Sequence, residues 1–286
     1  MPSSDMSAEV RDVAKLVNNV KSEEANLWSF MVLCFLNANL DGVMSARKGG
    51  QGQDESSGEE WKRRLVEQMC LASKMCAASS LERAKKLSKA ASEGYMRLGY
   101  HVLSVDAELI GRGLFSASSS FGHVAFEVGL SFDWLLNLPF VAGSSFKGAV
   151  RSAWRALNYD GESEAFGGEQ VGSIVFMDAY PVQAGLEGYI LYPDVLTPHY
   201  SREGRDVFDE TEACPVPVVY LTVAPGVVFR FQVAVRKEKT VDLGKLLKSV
   251  LYAFKMGLGA KTSAGYGVFQ AKHDAFKVLV AGGVKK

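Results

Sequence analysis

Two glycine-rich segments, each with a lysine among the glycines, are the strongest chemical feature of this sequence. The first runs from Gly143 to Arg151 and the second from Gly257 to Gly267. Glycine lets the main chain approach a ligand closely, and free N–H groups at the start of a helix attract anions. A lysine beside such amides adds a positive charge. The two segments therefore indicate a site for a phosphate-bearing ligand.

The first segment is predicted to begin a helix. Ser144 or Ser145 can cap it, because hydroxyl side chains accept hydrogen bonds from first-turn amides, and apolar residues recur at helical spacing from Phe146 to Leu157. Lys147 and Arg151 then fall four residues apart on one face. A cation in a first turn opposes the helix dipole, so a bound anion would explain Lys147 better than stability does. The competing interpretation is a solvated basic face.

Neither segment matches a nucleotide-binding loop. Ala149 follows Gly148 where a Walker loop has its lysine, and Thr262 stands where a dinucleotide fold has its third glycine. We therefore expect neither ATP nor NAD, and no other cofactor.

The charge of this chain is balanced in total and segregated along its length. The 286 residues include 32 Lys or Arg and 32 Asp or Glu, in one large domain or two small ones. Residues 230–286 carry twelve basic residues and three acidic ones, whereas residues 157–212 carry twelve acidic residues and two arginines. A neutral total thus conceals one basic region suited to a polyanion and one acidic region suited to a basic neighbour.

The cysteines and the apolar runs predict a cytoplasmic protein without a membrane span. The four cysteines show no paired metal spacing, so we expect reduced thiols and no zinc site; they are Cys34, Cys70, Cys76 and Cys214. The most apolar run, Leu27 to Leu36, has about half the length of a membrane span. It is predicted to form a buried helix, and no membrane partner is expected.

Residues 1–99 are predicted to form a helical N-terminal module. Apolar residues at helical spacing indicate a first helix near Val10 to Val20 and a buried one from Trp28 to Leu40. A polar stretch near 47–60 is typical of a mobile loop. A third helix follows from Trp61, and Ser79 with Glu82 forms a capping box for a fourth that ends near Gly99.

Residues 100–286 are predicted to form a second, strand-rich domain. The apolar residues alternate in several stretches, with one helix at Phe146 and another at Leu243 to Phe254. The predicted strands are Leu103 to Leu109, Val124 to Leu130, Ser173 to Ala179, a hairpin of Val218 to Val223 with Val227 to Arg236, and Tyr266 to Val280. The last hairpin strand alternates between a buried and a wet face. The order strand, helix, strand, strand, helix, strand predicts an α+β, ferredoxin-like (RRM-like) core with two helices on one side.

Several of these segments resemble motifs of one known family. Leu138 to Arg151 is similar to the "P-x-I-P-G-S-S-x-K-G-x-x-R" motif of the RAMP superfamily of CRISPR proteins. Ala165 to Gly168 and Gly172 to Ala179 resemble its "F-G … G-x-x-x-F-x-D-A" segment, and Gly257 to Gly267 resembles its glycine-rich loop. Asp194 to Tyr200 and the end of that loop resemble the type III-B (Cmr) branch of the superfamily. The helical N-terminal module matches the family only weakly.

The resemblance implies a noncatalytic subunit that holds the guide (crRNA) near its 3′ end. Such a subunit supports target RNA binding and antiviral defence within a type III-B CRISPR (Cmr) ribonucleoprotein, beside other Cmr-type RAMP subunits. Phosphate and sugar contacts position RNA without reading its sequence. The predicted RNA contacts are Gly143, Ser144, Ser145, Lys147, Arg151, His199, Tyr200, Lys261, Thr262, Ser263 and Tyr266. Tyr266 either stacks on a base or anchors the loop by packing.

Two other functions compete with RNA binding. A metal-independent endoribonuclease needs a general acid or base, and His199, in a long predicted loop, is the best candidate; related enzymes of the superfamily use histidine. Metal-assisted cleavage would call on Asp133, Asp178 or Asp194, of which Asp178 is expected instead to fix a turn or a backbone amide. The third possibility is an assembly role, in which the acidic region and the N-terminal helices dock neighbouring subunits.

Overall fold

The computed structural model describes most of the predicted elements. The described residues are 26–36, 55–116, 120–123, 125–197, 201–202, 205–206, 217–237, 241–280 and 283–285. The predicted helix near Val10 to Val20, residues 37–54, and both His199 and Tyr200 lie outside them. Among the described residues, no helix has the length and apolar content needed to cross a membrane.

The helices and strands follow in chain order. Residues 27–36 form helix α1. The other helices are α2 (Glu55–Arg97), α3 (Gly143–Ala156), α4 (Glu162–Phe166) and α5 (Leu243–Met256). The strands are β1 (Tyr100–Leu109), β2 (Phe132–Asp133), β3 (Leu138–Pro139), β4 (Ile174–Phe176), β5 (Tyr180–Gln183), β6 (Leu191–Leu196), β7 (Ser201–Arg202), β8 (Arg205–Asp206), β9 (Val218–Val223), β10 (Val228–Arg236), β11 (Phe269–Val280) and β12 (Gly283–Lys285).

The main sheet has ferredoxin-like strand order. Its strands run β12-β11-β1-β10-β4, with β5 also paired to β10, and every pair is antiparallel. Helix α3 connects β1 to the β4–β5 edge and α5 connects β10 to β11, so the arrangement is the split βαβ repeat. The predicted fold class is confirmed.

The N-terminal part contains one long helix where two were predicted. Helix α2 continues from Glu55 to Arg97 without a break. The Ser79 hydroxyl donates to the Cys76 carbonyl inside the helix (3.2 Å) and does not cap a new one. The prediction of a loop reaching residue 60 is also wrong, since the helix has begun by then. Apolar residues such as Leu65 and Met69 are buried on one face of the helix, and this burial stabilises the helix through its polar stretch.

Two strand predictions are wrong. Strand β9 pairs with β6, whereas the sequence predicted a hairpin with β10. Both arms of that hairpin are apolar and alternating, so their pattern does not reveal which neighbour each takes. Within the described residues 125–130 of the predicted strand from Val124 to Leu130, the only pairing is an isolated bridge from Leu130 to Phe121. Between Tyr180 and Asp206, where the sequence predicted no strand, the structure contains β5, β6, β7 and β8.

Helices cover both faces of the main sheet. Phe231 of β10 packs against Phe146 of α3 and Phe254 of α5, with ring centroids 4.9 and 4.7 Å apart. On the opposite face, Gln232 is buried and its amide donates to the Ser92 hydroxyl of α2 (2.5 Å). The prediction of a wet face on β10 is therefore wrong, because α2 packs over it.

Candidate nucleic-acid interface

The two glycine-rich segments lie at the same end of the helical layer. In this strand order α3 and α5 run antiparallel, so the start of one helix lies beside the end of the other. Phe146, in the first turn of α3, stacks on Phe254, in the last turn of α5, with ring centroids 6.1 Å apart. Phe254 also packs on Phe269, just beyond the second segment. The aromatic core thus holds both segments at one end of the sheet.

The start of α3 is capped from a distant strand. The cap residue is Ala142, which makes no side-chain cap bond, so the prediction of a serine cap is wrong. The Gly143 amide instead donates to Asp178 Oδ1 (2.6 Å), which confirms the prediction that Asp178 fixes a backbone amide. A Cβ on Gly143 would stand 2.5 Å from the Phe176 carbonyl oxygen. Because residue 143 is glycine, the turn at residues 176–178 can approach the start of α3.

The remaining first-turn groups of α3 face solvent. Ser144 and Ser145 are exposed, and within the described residues their amides have no acceptor. Lys147 is half-buried and forms no ion pair with any residue that the structure describes. Helix starts of this kind bind anions through free N–H groups and the helix dipole. The first segment therefore has the donors that a phosphate needs.

Gly148 is exposed and is not explained by the fold. A Cβ at this position would meet no atom within 4 Å, and its φ is outside the left-handed range. Glycine inside a helix costs about 1 kcal/mol relative to alanine. A ligand that approaches the helix backbone would account for glycine here.

Arg151 lies in an ion pair. Its Nε donates to Glu162 Oε1 (2.5 Å), and Arg155 donates to both oxygens of the same carboxylate. The two guanidinium groups lower the pKa of Glu162 to about 2. The basic face predicted on α3 is thus partly neutralised by α4, and Lys147 keeps its charge free at the helix start.

The second segment folds back on itself and on the residues after β1. The Leu258 amide donates to the Gly267 carbonyl (2.9 Å), and the Gly267 amide donates to the Arg112 carbonyl (2.8 Å). A Cβ on Gly267 would stand 1.9 Å from the Leu258 oxygen, and one on Gly259 would stand 2.4 Å from the Leu114 oxygen. These glycines allow close main-chain packing. The prediction that they leave the loop amides uncovered is wrong for most of the loop.

A short turn at the tip of the loop is the exception. Residues Thr262–Ala264 form one turn of 3-10 helix that follows Lys261, whose φ is +57°. The amides of Thr262 and Ser263 have no acceptor in the part of the chain that the structure describes. The loop therefore offers a second, smaller set of free donors.

A polar cluster holds this loop in place. We call Arg112, Asp194, Tyr220, Lys261 and Tyr266 the Asp194 cluster. Asp194 is 8% exposed and its Oδ2 accepts from Tyr266 (2.5 Å) and Tyr220 (3.3 Å). Lys261 Nζ donates to the Tyr220 hydroxyl (2.8 Å) and lies over the rings of Tyr220 and Tyr266. Tyr266 is thus anchored by its hydroxyl. Burial and the Asp194 carboxylate raise the pKa of Tyr266, which keeps it a neutral donor.

The three carboxylates considered for metal binding all have structural partners. Asp133 accepts from the amides of Leu135 and Leu136 and from the Tyr180 hydroxyl. Asp178 caps α3, and Asp194 holds the tyrosines. Among the described residues, no three His, Cys, Asp or Glu side chains are grouped to hold a metal ion.

Sequence reasoning missed two members of the Asp194 cluster. Arg112 and Tyr220 lie 108 positions apart, in segments whose pattern indicates only a loop and a buried strand. No local sequence pattern indicates that Arg112 and Tyr220 lie close to Lys261. The pairing of β6 with β9 places Asp194 opposite Tyr220, and the bridge between Gly113 and Val223 brings Arg112 to the same region.

Comparison with known proteins identifies the family. The RAMP superfamily profile matches residues 110–270, more than half of the chain. This chain belongs to the RAMP superfamily. Within that superfamily it is 36% identical over 192 residues to the CRISPR system CMR subunit Cmr6 of Saccharolobus solfataricus, and 35% identical over 108 residues to Cmr6 of Pyrococcus furiosus. The matches span 66% and 34% of this chain, and they cover 64% and 30% of those relatives.

A solved structure shares nearly the whole fold of this RAMP protein. A chain in the cryo-EM structure of the type III-B Cmr-beta bound to cognate target RNA superposes with a TM-score of 0.78 at 28% identity. The match covers 96% of this chain and 99% of that one. It includes the helical N-terminal part as well as the ferredoxin-like core.

Proposed function

We propose that this chain is a noncatalytic crRNA-binding backbone subunit of a type III-B CRISPR (Cmr) effector ribonucleoprotein. It lies near the 3′ end of the guide, beside other Cmr-type RAMP subunits, and supports target RNA binding and antiviral defence in the cytoplasm. Residues 100–286 form the RAMP domain, and residues 1–99 are a helical addition to it. The similarity to two Cmr6 proteins and to a chain of an RNA-bound Cmr particle supports this assignment.

The observation that carries the proposal is the uncovered start of α3. Within the described residues, Ser144 and Ser145 have free amides, Lys147 has no ion-pair partner and Gly148 is exposed, all in the first two turns of α3. These groups suit a phosphate and would bind any sequence, because none of them is arranged to read a base edge. A backbone subunit needs this kind of contact.

The carboxylates support a noncatalytic role. Metal-assisted phosphodiester cleavage needs carboxylates that are free to hold the metal ion. Asp133, Asp178 and Asp194 are all occupied by hydrogen bonds within the fold. The basic surface would then bind the guide RNA without cleaving it.

Salt-dependent RNA binding tests the proposal. In Lys147→Gln, affinity for a single-stranded guide should fall on the order of tenfold at low salt for every sequence tested, because a charge-assisted phosphate contact is lost. The slope of log K against log salt should fall by about 0.7. Lys86→Gln, on the other face of the sheet, is the control and should behave as wild type. Equal affinity and slope in Lys147→Gln would place the RNA elsewhere.

A cleavage assay separates the proposal from the endoribonuclease alternative. The purified wild-type protein and the His199→Ala variant are each incubated with repeat RNA in the presence of EDTA. We expect intact RNA in both. Specific products that disappear in His199→Ala would contradict a noncatalytic role.

A further inference from the structure

Among the described residues, the side chain of Arg112, beside the glycine loop, has no hydrogen-bonded partner. Its main-chain oxygen accepts from Gly267, so its backbone is part of the loop's support. Its guanidinium lies over the Tyr192 ring at 5.5 Å. The nearest carboxylate oxygen, on Asp194, is 3.8 Å from the guanidinium, beyond hydrogen-bond distance. Its Nε is buried without an acceptor.

Arg230 is an arginine of the same chain whose guanidinium does have hydrogen-bond acceptors. Arg230 donates through Nε and a terminal nitrogen to both oxygens of Asp106, each at 2.7 Å. Arg112 makes neither bond, although its side chain is 41% exposed and has five N–H donors to place. The described chain itself covers Nε, so an outside acceptor would reach Arg112 through its terminal nitrogens, on the exposed part of the side chain.

The charges of the Asp194 cluster lead to the same conclusion. Arg112 and Lys261 are both cationic, and Asp194 is the only carboxylate among the five members of the cluster. The Asp194 oxygens are already used, Oδ2 by Tyr266 and Tyr220 and Oδ1 by the Val195 amide. One positive charge is therefore left without a bonded counter-charge on a partly exposed surface. Guanidinium groups in this situation bind phosphate through two parallel N–H bonds.

We infer that Arg112 binds a phosphodiester of the RNA backbone, next to the free amides of Thr262 and Ser263 on the same loop. The inference rests on the proposed function and adds a contact that no glycine-rich motif contains. Tyr192 packs on one face of the guanidinium, which leaves the terminal N–H groups to the ligand. Asp194 fixes the loop through the tyrosines and forms an ion pair with Arg112 without a hydrogen bond, so the two cations of the cluster still exceed its one carboxylate. The second segment thus binds RNA chiefly through a residue outside it.

The test measures RNA binding by the full-length chain from 50 to 400 mM salt. The variants are Arg112→Gln, Arg112→Lys, Lys147→Gln and the control Arg63→Gln, an exposed position on α2. Arg112→Gln should weaken binding on the order of tenfold at low salt and reduce the salt slope by about 0.7. Arg112→Lys should keep the slope and still bind more weakly, because lysine lacks the bidentate fork. Arg63→Gln should match wild type.

The outcomes separate this inference from the proposed function. Wild-type affinity and slope in Arg112→Gln, with both reduced in Lys147→Gln, would overturn the role of Arg112 and leave the proposed function standing. RNA binding too weak to detect in the wild-type chain would overturn both. Melting temperatures check folding. If Arg112→Gln has a lower melting temperature than the wild type, the Arg112→Lys variant provides the test. Wild-type RNA affinity in Arg112→Lys would rule out a bidentate phosphate contact.

Discussion

The two glycine-rich segments look alike in sequence, but Gly148 of the first differs in its surroundings from Gly259 and Gly267 of the second. In the second segment, Gly259 and Gly267 bring main chain against main chain at distances that no side chain permits. In the first segment, Gly143 also packs closely, against the 176–178 turn, but a Cβ on Gly148 would meet no atom within 4 Å. A glycine that the fold requires says little about a ligand, whereas one that the fold does not require indicates a surface kept open for something else. The comparison favours α3 as the principal RNA contact and the loop as its support.

Gly267→Ala should break the second segment. Its φ of +67° and the 1.9 Å approach to the Leu258 oxygen leave no room for a methyl group. We expect a loss of about 3 kcal/mol or more in the free energy of unfolding, measured by urea denaturation. The control is Gly265→Ala, with a φ of +84° and open space, which should lose only about 1 kcal/mol from backbone strain. Equal losses would show that close packing is not what Gly267 provides.

Gly148→Ala should have the opposite effect on stability. Alanine fits the open space and favours the helix, so the free energy of unfolding should rise by up to about 1 kcal/mol. RNA affinity should fall, since the methyl group stands where the ligand approaches the backbone. Urea denaturation and RNA titration on the same preparation check both. A stabilised variant with wild-type RNA affinity would show that the RNA does not approach the helix backbone at Gly148.

Glu162→Gln should have the smallest effect, a modest gain in RNA binding. The change releases Arg151 four residues from Lys147, so the salt slope should rise by no more than about 0.7. Glu164→Gln, exposed on the same short helix, is the control. A slope unchanged from wild type would show that Arg151 does not reach the RNA.

The pH dependence of stability should report the same ion pair. The Glu162 pKa is depressed from 4.5 to about 2 in the folded chain, so its stabilisation is complete above about pH 4.5. It is lost as the pH falls toward 2. Glu162→Gln should therefore show a shallower loss of stability over that interval than Glu164→Gln does. Identical acid profiles would contradict the ion pair.

The sequence predicted the parts of the fold that depend on local pattern. Helices α3 and α5 and strands β1, β10 and β11 follow from apolar periodicity, and the strand order follows from the sequence of elements. The pairing of the strands could not be predicted from the sequence in the same way. Strands β9 and β10 have similar apolar alternation, and only packing pairs β9 with β6. The cap of α3 depends on Asp178, 35 positions away, which no local rule for serine caps anticipates. Arg112 joins the candidate site through the same kind of distant contact.

Hydrogen exchange with and without RNA tests the central claim most directly. Bound phosphate should slow exchange in peptides that contain the Ser144 and Ser145 amides and, to a smaller extent, those of Thr262 and Ser263. Peptides from the exposed face of α2 should be unaffected. Unchanged exchange at the start of α3 in saturating RNA would contradict the account, because those free amides are the donors on which it depends.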